Sequence, residues 1–257
     1  MTNQITQAED FAALHKKGEP VILYNIWDAG SAKAVSDAGA KAIATGSAPV
    51  AMAQGYADGQ NIPMDAALDN ARRIVAAVEI PVTLDFEGAY AEDVLGVAAN
   101  VQRALETGVI GFNFEDQIVG TSDLYDIETQ EARVRAMREG CDAAGIPAFI
   151  NARTDIFLKA KPDTHDDAML DEAIARAKAY ADAGASGFFA PGLKDEGMIA
   201  RLCDSTVLPV NIIALPGTPG TASLAKLGVA RISYGPVPYR KMLGWLTEQA
   251  QQALQEG

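Results

Sequence analysis

Two acidic side chains, Asp85 and Glu87, follow directly on an apolar run in the segment 81–90, which reads PVTLDFEGAY. An apolar run bounded by Pro and Gly is typical of a buried strand. Because side chains alternate between the two faces of a strand, we expect both carboxylates to point the same way at its C-terminal end. Two like charges repel unless a proton or a cation lies between them, and such oxygen ligands suit Mg²⁺ or Mn²⁺. The alternative is a pair of solvated loop carboxylates, since Asp-x-Glu is a common tripeptide.

These carboxylates belong to a regular alternation of strand-like and helix-like runs. The predicted strands cover 20–28, 41–47, the run into Asp85, 111–116, 148–157, 187–191, 209–215 and 230–235. The predicted helices cover 31–38, 64–78, 92–106, 127–144, 166–183, 195–204, 223–227 and 239–254, with a long loop over 48–63. Glycine, which adopts the left-handed cap conformation cheaply, ends five of the helices, at Gly39, Gly108, Gly145, Gly184 and Gly228.

Eight strand–helix units in 257 residues predict an α/β fold of the TIM-barrel type, a (β/α)8 barrel, with residues 1–257 as a single domain. The strand-like runs show little alternation of apolar and polar residues, as expected for strands covered on both faces. An open doubly wound sheet is the alternative. It is disfavoured because no Gly-x-Gly-x-x-Gly follows the first strand and the chain has no Walker motif.

A barrel of this kind carries its active site at the C-terminal ends of the strands. Polar residues are frequent at those predicted ends, namely Tyr24, Asn25, Asp28, Thr45, Gly46, Ser47, Asp85, Glu87, Asn113, Glu115, Asp116, Asn151, Arg153, Thr154, Asp155, Asn211, Ser233 and Tyr234. The sequence therefore predicts a polar site at one mouth of an otherwise apolar barrel. The alternative is that each is an independent polar residue at the end of a strand.

Composition narrows the classes of partner. The net charge of −13 argues against binding to nucleic acid or to an anionic membrane surface. The only cysteines, Cys141 and Cys203, lie in helix-like runs and make no disulfide framework. The first residues lack the basic and apolar segments of a signal peptide, so we expect a cytoplasmic protein. His15 and His165 lie in polar segments, and we expect them to be exposed and not to bind a metal.

The order and spacing of four segments resemble the isocitrate lyase/phosphoenolpyruvate mutase superfamily. These segments are 45–47 (TGS), 85–90 (DFEGAY), 114–117 (FEDQ) and 151–155 (NARTD). The resemblance extends over nearly the whole chain, from Tyr24 and Asn25 to the last helix. It implies a (β/α)8 barrel whose C-terminal helix is swapped between the subunits of a homodimer or homotetramer. It also implies Mg²⁺ or Mn²⁺ as the cofactor and an enolate-like intermediate of a pyruvate-type acid.

The resemblance further implies roles for four acidic residues toward the metal. Asp85 matches the carboxylate that contacts the metal directly, and Glu87 matches its partner. Glu115 matches the acid of the fourth strand that holds metal-bound water, and Asp58, in the long loop, matches a further carboxylate of the same water shell. The alternative for Asp58 is an ordinary Ala-Asp-Gly turn, because Asp-Gly is a turn dipeptide.

Other positions match the part of the family's site that holds a small anionic carboxylic acid. Ser47 and the Gly46 backbone match the element that holds the substrate carboxylate. Arg153 matches the arginine that clamps the charged end of the substrate, a task that suits a guanidinium group. An ion pair of Arg153 with Glu115 or Asp155 is the alternative, and both roles are compatible. Further candidates for substrate contact at the strand ends are Tyr24, Thr45 and Asn211, and Arg153 and Glu115 are also candidates for catalysis.

These residue types indicate a class of reaction. A 2-oxo acid chelates a divalent cation, which acts as a Lewis acid and stabilises the negative charge that develops on the ketone oxygen. We therefore expect a metal-dependent lyase that cleaves or forms a C–C bond in a small 2-oxo or 2-hydroxy di- or tricarboxylate through an enolate. One alternative is C–P chemistry on phosphoenolpyruvate or phosphonopyruvate. Another is a barrel that binds a 2-oxo acid without turning it over.

The loop that follows the fourth strand differs from the lyases of this superfamily. Isocitrate and methylisocitrate lyases carry a Lys/Arg-Cys-Gly-His loop there, whereas residues 118–125 read IVGTSDLY, without Cys or His. Only Thr121 and Ser122 are similar to the Lys-Thr-Asn-Ser loop of the mutases. Together with Tyr125 they are candidates for a lid over the site, and we take Thr121 and Ser122 as candidate acid/base groups. The alternative is a polar surface loop.

Overall fold

Eight parallel strands form a nearly closed barrel in the computed structural model of the chain, which describes residues 2–255. The strands are β1 (Val21–Leu23), β2 (Ile43–Ala44), β3 (Val82–Asp85), β4 (Gly111–Glu115), β5 (Phe149–Arg153), β6 (Gly187–Phe189), β7 (Val210–Ile213) and β8 (Arg231–Ser233). Each strand pairs with its neighbour in the chain from β2 to β8, and β1 pairs with β8. A single parallel bridge between Ile26 and Thr45 joins β1 to β2 and completes the circle. The predicted TIM barrel is confirmed.

Helices surround the barrel and follow every strand. Within residues 2–255 they are α1 (Thr2–Ala13), α2 (Ala29–Asp37), α3 (Ser47–Ala53), α4 (Met64–Ala77), α5 (Val94–Leu105), α6 (Ile127–Ala143), α7 (Ile156–Lys159), α8 (Asp167–Asp182), α9 (Glu196–Ser205), α10 (Thr221–Lys226) and α11 (Val237–Gln255), with a 3-10 turn at Pro162–Thr164. Strands β2 to β8 are buried on both faces, as the near absence of alternation predicts, whereas β1 exposes Ile22. The five predicted helix-end glycines all have φ between 70° and 97°.

Three helices differ from the sequence prediction. The N-terminal helix α1 precedes the first strand, where no element was predicted, and α3 lies in the segment predicted as a loop. The fifth strand ends at Arg153 rather than at residue 157, because the chain turns there into the one-turn helix α7. The number of strand–helix units remains eight, because these additional helices lie at the two ends of the barrel.

The N-terminal helix α1 packs against the end of the barrel opposite the predicted site. Phe11 lies edge-on to Phe149 at the start of β5, with ring centroids 5.5 Å apart. His15 stacks on the same ring at 4.0 Å, and its Nδ1 donates a hydrogen bond to the Phe11 carbonyl. The prediction that His15 and His165 are exposed is therefore wrong, because both are partly buried and His165 Nε2 donates to the Phe157 carbonyl at 2.9 Å. A polar sequence neighbourhood does not reveal that the His15 imidazole packs on an aromatic ring contributed by a strand 134 residues away.

The last helix, α11, contributes little to the packing of its own barrel. Of its 19 residues only Pro238 and Tyr239, in the first turn, are buried. Large apolar side chains farther along are exposed, including Trp245 at 60% and Leu254 at 83%. Among residues 2–255 no helix has both the length and the apolar character that a membrane crossing requires.

Candidate active site

A cavity of about 270 Å³ opens at the C-terminal ends of the strands, where the barrel fold predicts the site. Its polar lining consists of Asn25, Ser47, Asp58, Asp85, Asn113, Arg153 and Arg240. Its apolar lining includes Leu158, Phe189, Pro191, Ile213 and Leu215. Five predicted site residues, Gly46, Ser47, Asp58, Asp85 and Arg153, thus come together around one cavity, although they come from four separate segments of the chain.

Asp85 ends β3 and is held in place from β2. Its backbone N–H donates to the Thr45 hydroxyl at 2.9 Å, and its Oδ2 accepts a hydrogen bond from the Ser47 N–H at 3.0 Å. Its other oxygen, Oδ1, is buried and has no hydrogen-bond partner within the described residues. Burial raises the pKa of Asp85, and this outweighs the opposing effect of Arg153. A buried carboxylate oxygen without a partner is costly, and a bound cation would satisfy it.

Glu87 reaches the site by a route that strand alternation does not describe. β3 ends at Asp85, and Glu87 itself has a left-handed backbone with φ of 50°. Its carboxylate is buried, and Oε2 accepts a hydrogen bond from the Gln60 N–H at 2.8 Å. Burial raises the pKa of Glu87 to about 8, and the charges of Asp85 and Asp58 add to the shift. The expected pair of neighbouring carboxylates is present, although a turn and not a continued strand produces it.

Arg153, at the end of β5, is clamped between two carboxylates. Its Nη1 lies 2.8 Å from Glu115 Oε2, and its Nε and Nη2 donate to the two oxygens of Asp155 at 2.5 and 2.8 Å. Burial alone would lower the pKa of Arg153, but Asp155 and Glu115 hold it well above its usual value. Burial also raises the pKa of Glu115, despite the attraction of Arg153. The ion pairs with Glu115 and Asp155 that were the alternative for Arg153 are therefore present. They fix the orientation of its guanidinium group, and Arg153 still lines the cavity.

A second layer of buried polar groups supports Asp155. Asp116 Oδ1 accepts a hydrogen bond from the Asp155 N–H at 3.0 Å. Its Oδ2 accepts from Arg176 Nη1 and from the Tyr180 hydroxyl, each at 3.0 Å. Because Asp116, Asp155 and Tyr180 are fully buried, this network leaves the Arg153–Asp155 pair little freedom to move.

The barrel interior below the cavity holds a second buried cation, Arg231 of β8. Its Nη2 donates to Asn113 Oδ1 at 3.0 Å, and the same oxygen accepts from Asn151 Nδ2 at 2.9 Å. Burial lowers the pKa of Arg231 to about 9, and the nearby charge of Asp85 opposes this change. Arg231 thus supports Asn113, which lines the cavity, without reaching the cavity itself.

Seven predicted residues do not line the cavity. Two of them, Glu87 and Glu115, are buried carboxylates that contact Gln60 and Arg153, and the other five are Tyr24, Thr45, Thr121, Ser122 and Asn211. The Thr45 hydroxyl is turned toward Asp85 N–H, and Asn211 is buried against Ser233 Oγ at 3.1 Å, so both can act on the site only indirectly. Tyr24 is 39% exposed and packs on Tyr234 on the outer side of the mouth. Thr121 and Ser122 lie in an exposed turn in which Thr121 Oγ1 donates to the Ile118 carbonyl. The placement of these two fits the alternative of a polar surface loop, because the turn satisfies its own hydrogen bonds.

Two residues that line the cavity had no role assigned from the sequence, although Asn25 was among the polar residues predicted at the strand ends. Asn25 connects the end of β1 to the end of β8, because its Oδ1 accepts hydrogen bonds from the Tyr234 and Gly235 N–H groups, each at 2.8 Å. Arg240, in the first turn of α11, lines the cavity although its sequence neighbourhood reads as a packing helix. One signal was available for Arg240. A helix that follows the last strand begins at the mouth of the barrel, so a cation in its first turn can face the site.

The donor set fits a hydrated divalent cation. No group of three or more His, Cys, Asp or Glu side chains within residues 2–255 converges closely enough to hold a metal unaided. Mg²⁺ commonly keeps several waters and binds through one or two carboxylates. Asp85 offers an unpartnered oxygen for direct contact, and Asp58, Glu87 and Glu115 surround it with acidic groups. Burial raises the pKa values of Asp85, Glu87 and Glu115, and repulsion from neighbouring carboxylates adds to each shift, so a bound cation would stabilise their charged forms.

Comparisons with known proteins agree with the geometry. The family model for phosphoenolpyruvate phosphomutase matches residues 11–254. An uncharacterized protein of Mycobacterium tuberculosis is 33% identical, with 96% of this chain and 89% of that protein covered. The 2-methylisocitrate lyase of Escherichia coli is 28% identical, with 90% and 79% covered. The crystal structure of a proposed phosphonomutase from Burkholderia cenocepacia is 44% identical, covers 97% and 99% of the two chains and has a TM-score of 0.95. The chain therefore belongs to the phosphoenolpyruvate phosphomutase family of the isocitrate lyase/phosphoenolpyruvate mutase superfamily.

Proposed function

We propose that this protein is a Mg²⁺- or Mn²⁺-dependent lyase. It cleaves or forms a C–C bond in a small 2-oxo or 2-hydroxy di- or tricarboxylate, by way of an enolate. The observation that carries the proposal is Asp85 Oδ1, which is buried at the cavity beside Arg153 and has no hydrogen-bond partner among residues 2–255. A divalent cation bound there would supply Lewis acidity toward the negative charge that develops on the substrate.

The residues of this chain would hold and orient the substrate. The N-terminus of α3, at Gly46 and Ser47, lies against Asp85 and suits a substrate carboxylate. Arg153 uses three N–H groups on Glu115 and Asp155 and keeps two for a ligand in the cavity. Because the two carboxylates fix its plane, Arg153 is ordered before the substrate arrives, which lowers the entropic cost of binding.

Carbon–phosphorus chemistry is the second candidate. Two observations favour it: the family model that matches most of the chain is that of a phosphomutase, and a protein 44% identical in sequence is a proposed phosphonomutase. The cavity is compatible with both reactions, because a phosphonate and a carboxylate are both oxyanions that an arginine can bind. Turnover of carbon substrates and of phosphonopyruvate, measured side by side, separates the two reactions.

The test is Mg²⁺-dependent turnover of oxaloacetate, methylisocitrate, isocitrate, dimethylmalate and phosphonopyruvate, with all products identified. We expect a carbon substrate to be cleaved, and Asp85→Ala to lower kcat by about 100-fold or more, because it removes the stabilisation of developing charge. Asp69→Ala is the matched control, since Asp69 is exposed, forms an ion pair with Arg72 and does not line the cavity. Turnover of phosphonopyruvate alone would favour the second candidate. If the acids bind with Mg²⁺ and none is turned over, the barrel is a binding protein.

We also propose that the chain acts in the cytoplasm as a homodimer or homotetramer. The buried free thiols of Cys141 and Cys203 support a reducing compartment. The exposed apolar face of α11 supports an assembly in which this helix packs on another subunit.

A further inference from the structure

A second cavity, of about 360 Å³, opens beside the turn that follows β3. Its lining includes Gln60, Gly88, Tyr90, Glu92, Val119 and Arg133. It shares no lining residue with the cavity of the candidate active site. The two cavities are therefore distinct, although both lie next to the turn that carries Glu87.

Arg133 of α6 brings a buried positive charge to this second cavity. It is 1% exposed, and no carboxylate accepts its hydrogen bonds within the described residues. Its Nε donates to Gln130 Oε1, and its Nη1 donates to the carbonyls of Ala91 and Glu92. Its Nη2 donates to the Gly88 carbonyl at 3.1 Å. A guanidinium has five N–H groups, so one N–H of Nη2 is left without an acceptor in the described part of the chain.

Gly88 leaves an open space beside that nitrogen. A Cβ atom at Gly88 would lie 3.6 Å from Arg133 Nη2 and 3.3 Å from Gln60 Nε2. Gln60 Nε2 also has no acceptor among residues 2–255, whereas its Oε1 accepts from the Tyr90 N–H. Gly88 does not have a left-handed backbone, so its conformation does not account for the missing side chain. Two unused N–H donors thus converge on a space that a side chain would otherwise fill.

The charges around this space favour a ligand with one negative charge. Two N–H donors, one of them from a cation, suit a charged oxygen acceptor. Glu92 lines the same cavity, and its carboxylate opposes a second negative charge on the ligand. Val119 and the ring of Tyr125 offer apolar surface for a short hydrocarbon part. A small monocarboxylate therefore fits these surroundings better than a dianion does.

We propose that the second cavity is a binding site for a small monocarboxylate, whose carboxylate accepts hydrogen bonds from Arg133 Nη2 and Gln60 Nε2. This inference is independent of the proposed function, because it involves neither Asp85 nor a metal. The Gln60 backbone N–H also donates to Glu87 Oε2 at 2.8 Å. A ligand in the second cavity thus contacts a residue that holds the acidic cluster in place.

The test compares butyrate with butyramide, which has a similar shape and no charge, by calorimetry without Mg²⁺. We expect butyrate to bind the wild-type protein with a Kd of about 1 mM or tighter. Butyramide should bind about tenfold more weakly or worse, because it forgoes a hydrogen bond between charged groups. Hydrogen exchange locates the ligand. Butyrate should slow exchange in residues 87–92, because it joins Gln60 to Arg133 across this turn.

Two variants change the cavity and leave Arg133 in place, since the loss of Arg133 would also destabilise the turn. Gly88→Ala fills the space, and Val119→Asp adds a negative charge, because Val119 Cγ2 lies 3.5 Å from the same Cβ position. Each should weaken butyrate binding by about tenfold or more. Leu95→Asp is the matched control and should leave it within about twofold. Leu95 is 79% exposed and lines neither cavity.

Four results would overturn the inference. They are the absence of butyrate binding, equal binding of butyrate and butyramide, cavity variants that bind butyrate as well as Leu95→Asp does, and slowed exchange that is confined to segments lining the candidate active site.

Discussion

Burial shifts the pKa values of several ionisable side chains in this protein, and these residues determine how it responds to pH. At the mouth, Asp85, Glu87 and Glu115 all have raised pKa values because burial disfavours their charged forms. At the opposite end, burial lowers the pKa of His15 to about 3, and the charge of Arg231 adds to this effect. His15 is only partly buried as a whole residue, but its Nε2 is buried and has no partner among the described residues. Protonation would therefore bury an N–H group without an acceptor.

We expect His15 to make the protein sensitive to acid. A histidine has a pKa of 6.5 when unfolded and about 3 here, so between these values the unfolded state binds more protons. The stability that the neutral His15 side chain contributes is therefore fully present above pH 6.5 and is lost as the pH falls toward 3. Urea unfolding at neutral pH and at about pH 4.5 measures how much stability is lost in acid. We expect His15→Phe to make this loss smaller by about 2 kcal/mol. Equal acid sensitivity of the wild-type and His15→Phe proteins would contradict the assignment.

At the scale of elements, the turn after β3 positions the acidic cluster. Glu87, Ala89 and Tyr90 all have left-handed backbones, with φ of 50°, 59° and 53°, which costs about 1 kcal/mol or more at each non-glycine residue. Neighbouring side chains hold the turn in this conformation. Gln60 accepts a hydrogen bond from the Tyr90 N–H at 2.5 Å, and Arg133 of α6 donates to the carbonyls of the turn.

Arg133 is an unusual anchor because no carboxylate accepts its hydrogen bonds within the described residues. It donates to the carbonyls of Gly88, Ala91 and Glu92, and its guanidinium lies 4.3 Å from the centroid of the Tyr125 ring. Burial lowers its pKa. The cation thus donates to three backbone carbonyls of the turn, those of Gly88, Ala91 and Glu92, and so helps to hold its conformation.

Removing that cation should destabilise the turn and the fold together. Arg133→Met leaves the carbonyls unsatisfied, and we expect it to lower the free energy of unfolding by about 3 kcal/mol. Hydrogen exchange should increase first in residues 87–92. Arg135→Met on the same helix removes only an exposed ion pair with Glu131, so it should change stability by less than about 0.5 kcal/mol. Similar losses in the two variants would show that Arg133 does not anchor the turn.

At the scale of the whole molecule, α11 is the element that the single chain does not explain. A helix with one polar face normally buries the other, yet beyond its first turn α11 exposes Leu243, Trp245, Leu246 and Leu254. Several large apolar side chains exposed along one helix are typical of an interface between subunits. The same helix carries Arg240, so assembly and the mouth of the site share one element.

We expect the double variant Trp245→Glu, Leu246→Glu to dissociate the assembly into monomers, because it places two charges in an apolar interface. Light scattering coupled to size-exclusion chromatography measures the mass directly. Val207→Glu is the control, since Val207 is 91% exposed and lies away from α11. A wild-type protein that is already monomeric would refute the proposed assembly.

The barrel, and several of the residues that line the cavity at one of its ends, can be predicted from the sequence alone. The strand–helix alternation, the helix-ending glycines and the acidic residues at strand ends are local patterns, and local patterns are readable without contacts. Since parallel strands bring their C-terminal ends to one edge, Ser47, Asp85 and Arg153 could be placed together in advance. They all line the cavity.

The contacts that each side chain makes are known from the tertiary structure and could not be predicted from the sequence. Glu87 reaches the site through a left-handed turn held by Gln60, and the Thr45 hydroxyl supports Asp85 without facing the cavity. His15 is partly buried against a ring from β5, and Arg240 lines the site from the start of the last helix. Each of these placements depends on contacts between residues far apart in the chain. Burial, hydrogen-bond partners and pKa follow from such contacts, so no local pattern encodes them.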